Sequence, residues 1–198
     1  MKKKMILILA SAVLMLAIGV GGTLAYLTAQ STVTNTFSIG NVALTLEETI
    51  PGTTDKTTQG VGYTHLVPSE AVTKDPVVTV GSTSEKCYLF VELIETNNPS
   101  TYLTYDIVMD DSESGWNPLT GHNNVYYRVV DPSVTNPQLS FNLINGNTVT
   151  VKEAVGSLQL PAPTAAPSIA FKASAVQFEN IGDGVGDLDD ALAAWGKL

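Results

Sequence analysis

Apolar and polar positions alternate along most of this chain with a period of two. Val42, Leu44 and Leu46 interleave with Ala43, Thr45 and Glu47, which puts one row inward on a strand. Val78 and Val80 repeat the pattern. Cys87 to Ile94 is richer in apolar residues and reads as a central strand covered on both faces. Tyr102–Met109 and Val125–Val130 hold aromatic and β-branched residues that fit a pleated surface. Phe141–Ile144 and Thr148–Val151 flank Asn145-Gly146, a pair that takes positive φ readily and so predicts a hairpin. Ser168–Phe178 alternates again, with Ile169, Phe171, Ala173 and Ala175 on one side.

Turn residues punctuate these runs: Pro51-Gly52, Pro68-Ser69, Asp75-Pro76, Asn97-Asn98-Pro99, Asp131-Pro132 and Asn136-Pro137. Such spacing predicts an all-β fold, an antiparallel, Ig-like β-sandwich around one core over residues 38–198. Thr49–Gly62 is polar and glycine-rich and reads as a loop, and Pro161–Pro167 as an extended connection. The end differs in kind. Acids at 187, 189 and 190, then alanines and Lys197, predict one short C-terminal helix. Leu188, Leu192 and Trp195 would share its docking face.

The beginning differs again. Lys2, Lys3 and Lys4 precede an apolar run from Met5 to about Val20, and small residues follow. A positive start, a greasy middle and a small-residue exit are the signature of an export signal, a helix over residues 1–25. Thr23 and Ala25 supply the small side chains that a signal peptidase must accommodate, so the cut is expected between Ala25 and Tyr26. The alternative is a retained anchor; the run is a little short of the roughly 20 residues needed to span. In that case the uncut segment is the chain's only link to a membrane.

Removing residues 1–25 leaves 173 of 198 residues and takes three of ten basic side chains. Seven then oppose nineteen acids, a net charge near −12. Such a surface repels nucleic acid and anionic lipid, so neither is expected as a partner. The single cysteine, Cys87, cannot form an internal disulfide and lies in an apolar run, where a buried thiol is expected.

Several blocks resemble the TasA/camelysin group, exported proteins of Gram-positive bacteria. They are Gly21-Gly22-Thr23-Leu24-Ala25-Tyr26-Leu27-Thr28, then Asn35-Thr36-Phe37-Ser38-Ile39-Gly40-Asn41-Val42 with Leu44, Leu46 and Glu47. Further along come Thr73–Val78, Tyr88–Glu92, Gly115-Trp116, Val125–Arg128, Ala173–Gln177 and Ala193-Ala194-Trp195. The resemblance implies a jelly-roll-like sandwich, maturation by a SipW-type signal peptidase, and a place in the biofilm matrix or at the cell surface. It also implies self-assembly in some relatives, where the released segment enters the next subunit as a strand. Residues 26–37 fit that part here: Leu27, Ala29, Ser31 and Val33 alternate with Thr28, Gln30, Thr32 and Thr34. Alternatively the same segment forms the subunit's own first strand. A monomeric module that binds glycan or protein is the other non-catalytic expectation.

Camelysin is described as a metallopeptidase, so catalysis has to be weighed. A zinc protease normally presents two histidines one helical turn apart with a glutamate between them. Only His65 and His122 occur, both in loop-like sequence, so no enzyme, metal or cofactor is expected. Asp183–Asp190 and Asp110–Glu113 are acidic enough to interest calcium but lack the ligand spacing of an EF-hand, and helix capping is the ordinary reading of the first. Trp116, Tyr126 and Tyr127 could form a sugar platform, though core positions suit them better.

Overall fold

Strand β5 (Cys87–Thr96) is why this fold has two cores. Its odd-numbered residues Cys87, Leu89 and Val91 face one way and Tyr88 and Phe90 the other, and all five are buried. The computed structural model describes residues 41–63, 65–109, 115–154 and 166–198, all within one structural unit. Among them are eleven strands: β1 (Leu44–Thr49), β2 (Lys56–Thr57), β3 (Ala71–Thr73), β4 (Val77–Val80), β5, β6 (Leu103–Thr104), β7 (Asn117–Pro118), β8 (Val125–Val130), β9 (Ser140–Asn142), β10 (Thr148–Val151) and β11 (Ser168–Gln177). One helical turn, α1 (Pro99–Tyr102), and a C-terminal helix, α2 (Leu188–Trp195), complete them.

The strands form three sheets, ordered β2-β1-β4-β9, β11-β5-β8-β7 and β3-β10-β6. All the pairings are antiparallel. Val78, Val80 and Phe141 from the first sheet meet Cys87, Leu89, Val91 and Val130 from the second, with Trp116 and Leu143 filling the same core. The far face of the second sheet is closed by α2: Tyr88, Phe90 and Tyr127 pack with Phe178, Ile181, Ala191 and Ala194. Leu188, Leu192 and Trp195 pack against this second core, as their spacing predicts. The all-β, antiparallel class with a short C-terminal helix is therefore borne out, and the central-strand reading of Cys87–Ile94 with it, but the single core expected for residues 38–198 is corrected to two, because both faces of β5 are covered. The expected signal helix over residues 1–25 lies outside the described residues.

Two local expectations are overturned. Phe141–Ile144 and Thr148–Val151 do not form a hairpin with each other. β9 pairs with β4, whereas β10 pairs with β3 and β6. Asn145–Asn147 makes a tight 3-10 turn with Gly146 at φ 61°, so the turn chemistry is right. The Asn145 N–H donates to Asp106 O, not across a hairpin. Phe141 and Leu143 enter the main core, while Val149 and Val151 are buried in the third sheet. A turn fixes where the chain bends; burial decides which edge receives it.

Tyr102–Met109 is not a strand along its length either. Only Leu103–Thr104 is paired to β10, Ile107 makes a single bridge to Ile144, and Tyr102 ends α1. Asn97 and Asn98 at positive φ, followed by Pro99, turn the chain sharply before it can extend. Trp116, Tyr126 and Tyr127 are core or half-buried positions. Trp116 is buried with its indole N–H donating to Asn142 O at 3.0 Å, so the platform reading falls for this residue.

A charged side chain also enters the main core. Arg128 on β8 is 6 % exposed, and its guanidinium lies 3.6 Å over the Phe141 ring and 5.5 Å from that of Trp116. Burial pushes its pKa down to about 10, which leaves it charged at neutral pH.

Candidate functional site

On the side of the sandwich where β1 and β11 lie, the main core is bordered by half-buried residues. β11 is paired to β5 over all ten of its residues, from Ser168↔Thr96 to Gln177↔Cys87. Its other edge has no strand partner among the described residues. β1 is paired to β4 from Leu44 to Glu47, and among the described residues its second edge is taken by β2 only at Glu48 and Thr49. Between these edges run Leu44 and Leu46 of β1 and Phe171, Ala173 and Ala175 of β11, all half-buried against the main core. β1 and β11 lie beside each other here, and the half-buried apolar row between their edges, largely without a strand partner among the described residues, forms a shallow slot.

One end of the slot is built, not left open. The chain leaves β1 at Thr49, turns through Ile50–Asp55 and returns as β2. The segment expected to be a loop is thus a hairpin. Glu48, a position of the inward row, holds the return in place. Its carboxylate accepts the Val61 N–H at 3.0 Å through Oε1 and the Lys74 ammonium at 2.7 Å through Oε2. Asp75 anchors the neighbouring turn by accepting the Thr49 N–H at 2.9 Å and hydroxyl at 2.6 Å. Burial alone would raise the Asp75 pKa, but those Thr49 hydrogen bonds outweigh it and hold the carboxyl below its usual range. The Tyr63 hydroxyl donates to Thr73 O, and burial, then Glu48 and Asp75, push it up to about 12. A cavity of about 140 Å³ sits at this closed end, lined by Leu46, Glu47, Gly60, Lys74, Ile169 and Phe171 among others.

Glu48 is the site residue that the alternation missed. A carboxylate in the inward row next to Leu46 breaks the pattern. The signal that could have found it is Lys74, three residues before the strand that pairs with β1. Lys74→Met keeps the apolar stem but leaves Glu48 without its cation. The expected cost is about 1–3 kcal/mol in urea unfolding, because the partly buried carboxylate keeps its desolvation penalty and loses its partner. Amide exchange at Val61 should rise as the hairpin loosens; an unchanged rate would mean that Glu48 does not hold it.

The other candidates are scattered. Thr23, Ala25 and Tyr26 of the expected cleavage site, and Leu27, Ala29, Ser31 and Val33 of the expected donor strand, lie outside the described residues. So does Asp110–Glu113. His65 sits exposed in a loop before β3 at φ 60°, while His122 lies between β7 and β8 with its ring edge-on to Trp195, 5.8 Å between centroids. Among the described residues no three His, Cys, Asp or Glu side chains converge. Cys87 is buried in the main core, and burial pushes its thiol up to about 11. The acidic turn before α2 is organised by its own carboxylate: Asp190 accepts the Asp183 and Gly186 N–H groups, both at 2.9 Å, and the Tyr88 hydroxyl at 3.3 Å. Asp187 accepts the Asp190 N–H as the helix N-cap, the ordinary reading of this stretch.

Comparison with known families bears on the amino-terminal part. The family model described as camelysin metallo-endopeptidase matches residues 1–61. The first third of the chain is camelysin-like. That stretch contains the expected leader, the segment 26–37, β1 and the β2 hairpin, so the camelysin-like part supplies one flank and the closed end of the slot. It points to an extracellular or surface protein. No curated protein and no solved structure matches the chain. Among the described residues no helix is long and apolar enough to cross a membrane.

Proposed function

We propose that this chain is an extracellular structural protein of the cell envelope or biofilm matrix, built to associate with copies of itself by strand donation. A SipW-type signal peptidase would cut after Ala25, leaving 26–37 as a free segment and 38–198 as the sandwich domain. The segment of one copy then adds to the slot between β1 and β11 of another. The observation that supports this reading is the pair of edges of β1 and β11, largely without a strand partner among the described residues, beside a half-buried apolar floor, in a chain where Leu27, Ala29 and Val33 alternate with polar side chains. Leu27, Ala29, Ser31 and Val33 are short enough to lie over Ala173 and Ala175 without forcing the sheets apart. Main-chain hydrogen bonds to the open edges would supply strength and the alternating side chains register. The net negative charge argues against nucleic acid as a partner.

Electron microscopy tests it. Protein beginning at Tyr26 is expected to form fibres, and deletion of residues 26–36 to abolish them while circular dichroism stays β-type. Fibres that survive the deletion would mean a different route of assembly, and a persistent monomer would favour a surface binding module. A peptidase reading has the family description in its favour. His65 and His122 stand on separate loops, so it requires casein hydrolysis that is lost on chelation and in His65→Ala or His122→Ala.

A further inference from the structure

A second cavity lies at the other edge of the first sheet, beside β9 and two strands away from β1. Its volume is about 300 Å³, and its residues fall outside the camelysin-like third of the chain. Val108, Phe141 and Ile144 supply its apolar lining, while Gln138, Asn142, Asn145 and Asn147 bring four side-chain amides to it. Among the described residues no charged side chain lines it, in a chain that carries nineteen acids and ten basic residues. The tight turn at Asn145–Asn147 gathers the amides. It is held from behind by the bridge between Ile107 and Ile144 and by the Asn145 N–H donating to Asp106 O.

The main-chain groups around this cavity are largely engaged. The Asn147 N–H donates to Ile144 O, Asn147 O accepts the Lys74 N–H, and Asn142 O accepts the Trp116 indole N–H. A peptide strand, which is recognised through such groups, would find few of them open. Recognition therefore falls to the side-chain amides. One of them is left wanting: Asn147 Oδ1 is buried with no hydrogen-bond partner. A buried acceptor of this kind calls for a donor.

We propose that this cavity binds one unit of a neutral polysaccharide. A sugar ring presents an apolar C–H face and a rim of hydroxyls that both donate and accept, and a side-chain amide also does both. The apolar lining and the four amides match those two parts. The volume is that of about ten water molecules, roughly one pyranose with its hydroxyls. A phosphate, sulfate or uronate would enter without a cation to meet it, and an amino sugar without a carboxylate, so a charged ligand would lose its hydration unpaid. The proposal stands apart from strand donation: the cavity and the slot lie on different edges of the first sheet, so filling one leaves the other free.

Saturation-transfer NMR decides it, because it reads the sugar protons whether or not the protein assembles. The chain beginning at Tyr26 is titrated with neutral tetrasaccharides of glucose, mannose, galactose and N-acetylglucosamine. At least one is expected to bind saturably, half-filling the site at about 1 mM, the range for a small ligand held by a few hydrogen bonds. Asn145→Ala combined with Asn147→Gly should weaken that binding by about tenfold or more. Glycine suits the φ of 51° at Asn147, so the turn is kept. Asn142→Ser is a second probe that leaves the main-chain O holding Trp116 in place, and it should weaken binding by about threefold or more. Asn124→Gly, at φ 61° on a different loop, should leave binding unchanged, and a tetramer of galacturonate should give no transfer. The proposal is overturned by the absence of saturable binding for every neutral tetramer up to about 10 mM. Binding that survives both sets of variants, or galacturonate binding as well as the best neutral sugar, would overturn it too.

Discussion

Replacing Phe90 by alanine is expected to remove about 3–5 kcal/mol of stability, the range for deleting a large aromatic side chain from a packed core. Phe90 is fully buried on the face of β5 that α2 covers. Its ring centroid lies 5.3 Å from that of Trp195 and 6.4 Å from those of Tyr88 and Tyr127, so it joins the helix to the sheet. Alanine leaves a hole that β5 cannot close, since it is held by β8 on one side and β11 on the other. Urea unfolding followed by circular dichroism measures the loss. Fluorescence says where it falls. The two tryptophans occupy different layers: Trp116 sits in the main core, whereas Trp195 packs against the second. In a Trp116→Phe background the emission of Trp195 should shift to the red. A loss under about 1 kcal/mol, with Trp195 unmoved, would mean that α2 docks without this ring.

The two cores were legible in the sequence to different degrees. Cys87–Ile94 carries too many apolar residues for a strand with one wet face, so its double burial could be read directly. The helix spacing Leu188, Leu192, Trp195 likewise named the residues that meet it. Pairing was less legible. Asn145-Gly146 announced a turn, and the turn is there, but β9 and β10 part company because their apolar residues belong to different layers. Period-two alternation records which side of a strand is buried and not which neighbour buries it. The slot was half visible: the row Leu44, Leu46, Phe171, Ala173 and Ala175 was in hand, whereas its closed end was not. That end depends on Glu48, an acid at an inward position, satisfied by Lys74 from 26 residues away. The buried Asp190 is hidden for the same reason, since helix capping accounts for its acidic stretch without calling for a buried carboxylate.

Asp190 is expected to make the docking of α2 sensitive to acid. Its carboxylate is almost wholly buried, and Gly182, Gly184 and Gly186, all at positive φ, wrap the chain around it. The Gly186 N–H is the first cause of its depressed pKa; burial opposes, and the Asp183 N–H and Tyr88 hydroxyl reinforce. The folded pKa thus lies below the value of about 3.9 for an unfolded aspartate. A group of this kind contributes stability that is fully present above the unfolded pKa and is lost as the pH falls through the folded one. The window is therefore below about pH 4, and melting temperature should fall as acid is added there. Asp190→Asn keeps the shape but turns an NH₂ toward at least one of the two N–H donors. At neutral pH it should melt lower by roughly 5–10 °C, and it should show a shallower acid slope, with Asp75 and Asp131 supplying what remains. Gly182→Ala should reproduce the neutral-pH loss by a different route. Its Cβ would fall 1.5 Å from Asp190 Oδ1, so the carboxylate would have to leave its donors. Val185→Ser, on the same loop but 73 % exposed, should change neither quantity. Should Asp190→Asn melt like the parent and keep its full acid slope, the carboxylate would be only a passenger in this loop, and α2 would dock through its apolar face alone.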